Sequence, residues 1–369
     1  MSTALIGKRL KALRDERGID QDAVAEMLGL KSRQIVSNIE TGERKVKAEE
    51  LLMLVEKLGV DLDYFTDPFR LEGEGRFSWR RGKEVPADRL NTYEILAGRW
   101  IAAFRELATR VGRDVPLVRP QLPLERTSTF DEAAAAGERF AAEYELGEVP
   151  STRLPQIMED KLGILVLMVD SKDGISGAAC TLPELGAVLI NRREVKGRRH
   201  FDLGHELFHL MTWDKMPPER SESIAGKKNH VEKLADVFAS ALLMPRSVLK
   251  GIDWRSFEQQ ALVSAINRRA TELGVSSDAL RWRLASTGLL TQKAAREIPS
   301  EALRHNGYVD LAEPEMPPLF SHRFLQVIVD AIDGGHISAR RVARLLDMSF
   351  EQLSEVILAH DLPVPETVH

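Results

Sequence analysis

The sequence has a single cysteine, Cys180, among 369 residues. No intrachain disulfide can form, and a structural metal site built from several thiolates is excluded. Also missing is any apolar run near the roughly 18 residues that a membrane-spanning helix needs. The opening MSTALIGKRLKALRDERG is charged and amphipathic, unlike a signal peptide. Together these absences predict a chain that works in the reducing cytoplasm. A strong charge of one sign is lacking too. The net charge of −5 gives no general attraction to nucleic acid, so any such contact must come from a local patch. There are no internal repeats and no long low-complexity tract. What is present is ordinary: 43% hydrophobic and 29% charged residues, with length enough for two or three domains.

Helical periodicity dominates the N-terminus. Leu5, Ile6, Leu10 and Leu13 recur at helical spacing until Gly18. Asp20 reads as the N-cap of a second helix, QDAVAEMLG, closed by Gly29. A third helix starts near Ser32, a fourth spans KVKAEELLMLVEKLG, and VDLDYF makes a closing turn. Five short helices with a tight turn between the second and third predict a helix-turn-helix domain over residues 1–68. The Gly-, Arg- and Glu-rich stretch at 69–87 reads as a linker. Helices are predicted at 88–111 and 130–145, with another in LPQIMEDKLG. The strand ILVLMV and a small sheet in GISGAACTLPELGAVLIN follow. The remainder, 251–369, reads as helical.

The segment RRHFDLGHELFHLMTW, residues 198–213, carries the chemistry. Positions i and i+4 of a helix share a face, so His205 and His209 can aim two imidazoles at one ion. Glu206 lies about 100° round the helix, beside the pair but not in it, where it can take a proton from a metal-bound water. A catalytic zinc takes three protein ligands and keeps one open position. Glu232, on the next apolar helix, is the better third-ligand candidate, and His230 at that helix's start is the rival. Asp236 shares the face of Glu232 and can accept from the free nitrogen of a ligating histidine. Two imidazoles and a carboxylate suit Zn2+, with Mn2+ as an alternative. His230, Arg198 and Arg199 are transition-state stabiliser candidates by proximity in sequence alone.

These motifs carry a resemblance. The run GAVLIN–RREVKGRRHFDLGHELFHLMTW, followed by HVEKLADVFASALLMP, is similar to the ImmA/IrrE family of bacterial metallopeptidases across roughly residues 150–250. The resemblance implies His205, His209 and Glu232 as metal ligands and Glu206 as the catalytic glutamate. One departure is Phe208, where the family usually has Gly. The implied function is metal-dependent endopeptidase activity on a protein such as a helix-turn-helix repressor, in a stress or phage-related response. The strand at 187–191 is then expected to receive the substrate as an added strand.

Residues 8–65 resemble the Cro/repressor (XRE) type of helix-turn-helix. On that resemblance Gln21 contacts phosphate. Ser32, Arg33, Gln34, Ser37 and Asn38 are of the right kind for base edges and phosphates, and Arg44, Lys45 and Lys47 for the DNA backbone. Residues 1–70 hold 12 Lys+Arg against 13 Asp+Glu, so DNA affinity is expected to be modest, salt-sensitive and helped by a homodimer. A protein-recognition role for this module stays open.

Cys180 has two readings: a buried apolar residue, or a regulatory thiolate that closes the metal's open position. The expected class is mainly α (α+β). It comprises the N-terminal five-helix domain, a zincin-like peptidase core at 88–250 with a small sheet and the HExxH helix, and the helical C-terminal region. The alternative function is a DNA-binding transcription regulator whose metal site is structural or metal-sensing.

Overall fold

A computed structural model describes residues 3–82, 85–171, 174–223, 229–308 and 316–368. The chain is mainly helical with one small sheet, as expected. Helices α1 (Thr3–Glu16), α2 (Gln21–Met27), α3 (Arg33–Glu40), α4 (Ala48–Leu58) and α5 (Leu62–Thr66) make the N-terminal module. They close on a core of Leu10, Val24, Val36, Ile39, Leu54 and Phe65. The Asp20 carboxylate caps α2 by accepting from the Ala23 amide at 2.7 Å. Gly7 is required where α1 crosses α3, because a Cβ there would stand 2.0 Å from the Ile39 carbonyl.

The stretch expected as a linker is a strand. β1 (Arg76–Arg81) pairs antiparallel with β3 (Ile175–Thr181) and parallel with β5 (Ser221–Ser223). β3 pairs antiparallel with β4 (Gly186–Asn191), and β4 pairs parallel with β2 (Ile164–Val169). The order β2-β4-β3-β1-β5 makes β4 an interior strand. Its backbone is already paired on both sides, Leu189 with Leu167 and with Ala178. It therefore cannot receive a substrate as an added strand, which corrects the expectation for 187–191. The sequence pattern could not show this, since a continuous apolar run does not reveal its neighbours.

Helices cover both faces of the sheet. One face packs with α7 (Phe130–Glu143), α8 (Pro150–Asp160), α9 (Lys196–Thr212) and α10 (His230–Leu243). The same core takes in α11 (Arg246–Leu249), α12 (Gln259–Leu273), α13 (Ser277–Ser286) and α14 (Gln292–Glu297). The other face packs with α6 (Ala87–Arg110) and the C-terminal α15 (His322–Asp333), α16 (Ala339–Leu346) and α17 (Phe350–Leu358). The C-terminal region is thus divided between the two sides of the sheet. No helix among the described residues is long and apolar enough to cross a membrane.

Strand alternation places Cys180. It sits fully buried in the core that α6 shares with the sheet, whereas its neighbour Ala179 belongs to the core containing α9. Burial pushes its thiol well above the ordinary value. A neutral thiol on the face away from α9 cannot close a metal position on that helix, so the regulatory reading of Cys180 is withdrawn.

Glu159 ties α8 to the C-terminal helices. Its Oε1 accepts from Ser321 Oγ at 2.7 Å and from the Val166 amide at 3.2 Å. Burial pushes its carboxyl up from 4.5 to about 7. The folded chain therefore holds this proton more tightly than the unfolded chain does. The group's contribution is fully present below pH 4.5 and falls as pH rises to about 7. Glu159→Gln keeps the accepting oxygen and removes the charge. Above pH 7 the variant is expected to be the more stable by on the order of 1–3 kcal/mol, with the gap closing towards pH 4.5. Thermal unfolding across that range checks it, and a gap independent of pH refutes it.

Candidate metal centre

α9 lies against β3 and β4, and α10 runs beside it in the opposite direction, with Gly204, His205 and His209 meeting Ala239, Asp236 and Glu232 in turn. Small residues set their separation: a Cβ on Gly204 would meet the Ala239 Cβ at 3.2 Å. Phe208 fills the space behind the second histidine, 5.6 Å from the Phe238 ring. The departure from the family pattern at that position is thus absorbed by core packing.

On the facing sides, His205 and His209 direct their Nε2 atoms to within 3.1 Å of each other. The Glu232 carboxylate spans the pair, 3.2 Å from His205 Nε2 and 3.4 Å from His209 Nε2. All three side chains are buried. A tetrahedral ion with bonds of about 2.0 Å has ligand atoms about 3.3 Å apart, so these separations fit one face of such a site. The donor chemistry fits too, and the cluster can hold a metal ion.

The rival, His230, is excluded by the way α10 starts. Asn229 Oδ1 caps the helix by accepting from the Glu232 amide at 3.0 Å. That turn aims His230 outwards, where its Nε2 meets the Ser128 carbonyl at 2.8 Å. Glu232, two positions on, faces α9. Asp236, one further turn along, bonds His205 Nδ1 at 3.1 Å, the placement expected for a carboxylate that orients a ligand.

Glu206 is 2% exposed and is not among the clustered donors. In the ion-free chain, burial pushes its carboxyl up to about 7. Burial and the Arg80 charge lower the His205 pKa, but Asp236, Glu232 and Glu206 outweigh them and leave it raised. Burial lowers that of His209. A divalent cation would favour the ionised carboxylates and the neutral imidazoles together.

The two arginines proposed from sequence are held by other groups. Arg198 pairs with Asp202 at 3.0 Å, and Arg199 donates to the Arg192 and Glu194 carbonyls. A cation that sequence reasoning did not propose lies beside the cluster: Arg80 of β1, only 4% exposed, donates to Asp202 Oδ1 at 2.7 Å and stands 3.9 Å from Asp236 Oδ1. It was missed because its strand was read as a linker. The signal was present in the alternation of Phe77 and Trp79 with Ser78 and Arg80.

In the helix-turn-helix, Ser32, Arg33 and Gln34 stand exposed at the start of α3, with Ser37 and Asn38 half-buried one turn on. Gln34 donates to Asn38 Oδ1 at 3.0 Å. Gln21 donates to Glu40 at 2.8 Å, and Lys45 and Lys47 are exposed. Arg44 departs from its expected role. Both its terminal nitrogens bind Glu50, at 2.6 and 3.0 Å, so its donors serve the start of α4.

Residues 10–65 match the helix-turn-helix family. Residues 159–285 match a peptidase family described as the IrrE N-terminal-like domain. That match runs past the boundary expected at 250 and takes in α12 and α13, which share the core of α9 and α10. The chain is 34% identical over 148 residues to the HTH-type transcriptional regulator RamB from two strains of Mycobacterium tuberculosis, an alignment covering 38% of this chain. The chain spans about 28% of the length of those relatives. Among solved structures, the apo competence regulator ComR from Streptococcus vestibularis is 11% identical, with 91% of this chain and 99% of that chain covered. Bacillus thuringiensis PlcR, in complex with the peptide PapR7 and DNA, is 9% identical over 97% and 96%. Both have a TM-score of 0.17, too low to bear on the fold.

Proposed function

We propose that this chain, which carries a helix-turn-helix domain and an IrrE N-terminal-like domain, is a metal-dependent endopeptidase whose N-terminal domain binds DNA. The carrying observation is Glu206, a buried carboxylate beside the His205, His209 and Glu232 cluster but outside its ligand set. A purely structural metal site has no use for such a group. A bound Zn2+ or Mn2+ would acidify a coordinated water and polarise the scissile carbonyl. His205, His209 and Glu232 would hold the ion, and Asp236 fixes the His205 ring by accepting from Nδ1. Glu206 takes the proton and returns it to the leaving amine. The proposed substrate is a protein, with a helix-turn-helix repressor in a stress or phage response as the first case to examine. The proposed setting is the cytoplasm. The test compares new protein N-termini in host cells carrying wild type or Glu206→Gln after DNA damage or phage challenge. Fragments found only with wild type support the reading, and identical sets count against it.

RamB's description as a transcriptional regulator favours a second reading, in which the metal centre is structural or metal-sensing and the output is DNA binding alone. In either reading α3 reads DNA with Ser32, Arg33, Gln34, Ser37 and Asn38, while Gln21, Lys45 and Lys47 contact the backbone. Arg33→Ala is expected to weaken DNA binding by about tenfold and reduce its salt dependence, with stability unchanged. Arg44→Ala is expected to do the reverse. It strands the buried Glu50 and destabilises by about 1–3 kcal/mol, with little direct change in affinity. Mobility shifts at two salt concentrations and thermal unfolding separate the two. An exchange of the two phenotypes would refute the assignment.

A further inference from the structure

We propose that Arg80 is a positioning residue of the metal centre, supplied by a strand that lies outside the IrrE N-terminal-like match. The proposal rests on reading His205, His209 and Glu232 as metal ligands.

β1 turns Phe77 and Trp79 into the core with α6 and sends Arg80 towards α9. On the β3 side the cross-strand partner of Arg80 is Gly177, which puts no side chain on that face; on the β5 side it is Glu222. The guanidinium lies across the sheet and makes three contacts with the described side chains. Nη1 binds Asp202 Oδ1 at 2.7 Å. Nη2 stands 3.9 Å from Asp236 Oδ1, an ion pair. The guanidinium carbon is 5.8 Å from the Phe201 ring centroid, and that ring is 6.4 Å from the His205 ring.

Asp236 Oδ1 is the same atom that bonds His205 Nδ1. Arg80 thus holds the carboxylate that fixes the tautomer and direction of a metal ligand. A planar fork can engage Asp202 and Asp236 from one position, and a lysine's single ammonium cannot. Charge agrees with this role. Asp202, Glu206, Glu232 and Asp236 bring four carboxylates to this region, against the guanidinium groups of Arg80 and Arg198. A bound divalent cation would offset the excess of negative charge.

The test is a double-mutant cycle read as zinc affinity, by chelator competition on the full chain. R80K and D236N are each expected to weaken zinc binding by about 10–100-fold. The double variant is expected to bind within about threefold of D236N alone, because both changes break one connection. Wild-type affinity in R80K, or losses that multiply in the double variant, would overturn the proposal. A residue that only held β1 in place would lower the unfolding temperature without this coupling. If R80K does not fold, R80Q, which keeps a planar donor and removes the charge, takes its place in the cycle, with the same two outcomes deciding. The underlying reading fails separately, if wild type binds no zinc or if E232Q binds it as wild type does.

Discussion

Glu206→Gln is expected to cut peptide-bond cleavage by roughly 10²–10⁴-fold while zinc affinity and stoichiometry stay those of the wild type. The substitution conserves shape in a position that is 2% exposed, so the packing of α9 against the sheet should survive. What it removes is the ability to accept and return a proton. Glu206 does not share the ligand set of His205, His209 and Glu232, which is why metal content should not follow activity down. Burial opposes a charge at this position, so the neutral side chain should not lower the unfolding temperature of the ion-free chain. The measurement pairs cleavage of an identified substrate with zinc content and thermal unfolding. Retained cleavage would remove Glu206 from the chemistry. Cleavage and zinc lost together would make it a ligand or a support of one.

Loss of the proposed third ligand has the opposite signature. Glu232→Gln is expected to lower zinc affinity by at least about a hundredfold and to take cleavage with it. The carboxylate spans both imidazole nitrogens at 3.2 and 3.4 Å, and a neutral amide oxygen there is a far weaker donor to a doubly charged cation. Stability reports the same event without any substrate. An ion that binds only the folded chain stabilises it by about 4 kcal/mol at a thousandfold excess over its Kd. Zinc should therefore raise the unfolding temperature of wild type clearly and that of Glu232→Gln little. Chelator should erase the difference between them. An equal zinc-dependent rise in both proteins would show that the ion sits elsewhere.

How much of this centre could be read from the chain depends on whether each relation is local. His205 and His209 share a face because a helix repeats its hydrogen bonds every few residues, and no distant contact is needed to establish that. The choice between His230 and Glu232 is nearly as local. It follows from Asn229 capping α10, which turns one side chain towards Ser128 and the other towards α9. The capping asparagine was visible in the sequence, but which way the capped helix faces was not.

Strand relations were decided at long range. RFSWRR, amid Gly, Arg and Glu, has the composition of a linker, yet it pairs with Ile175–Thr181 about a hundred residues away. That pairing brings Arg80 beside the cluster of His205, His209 and Glu232. The interior position of β4 and the face on which Cys180 lies have the same origin. Strand order is set by which backbone groups find partners across the fold, and the face by the resulting register. By itself the sequence determined the two domain types, the helical imidazole pair with its neighbouring glutamate, and the carboxylates on the next helix, since each follows from a short-range repeat. Only the tertiary structure decided which strand is covered, which arginine enters the site and which cysteine face is sealed, since those depend on contacts between segments that the local pattern does not join.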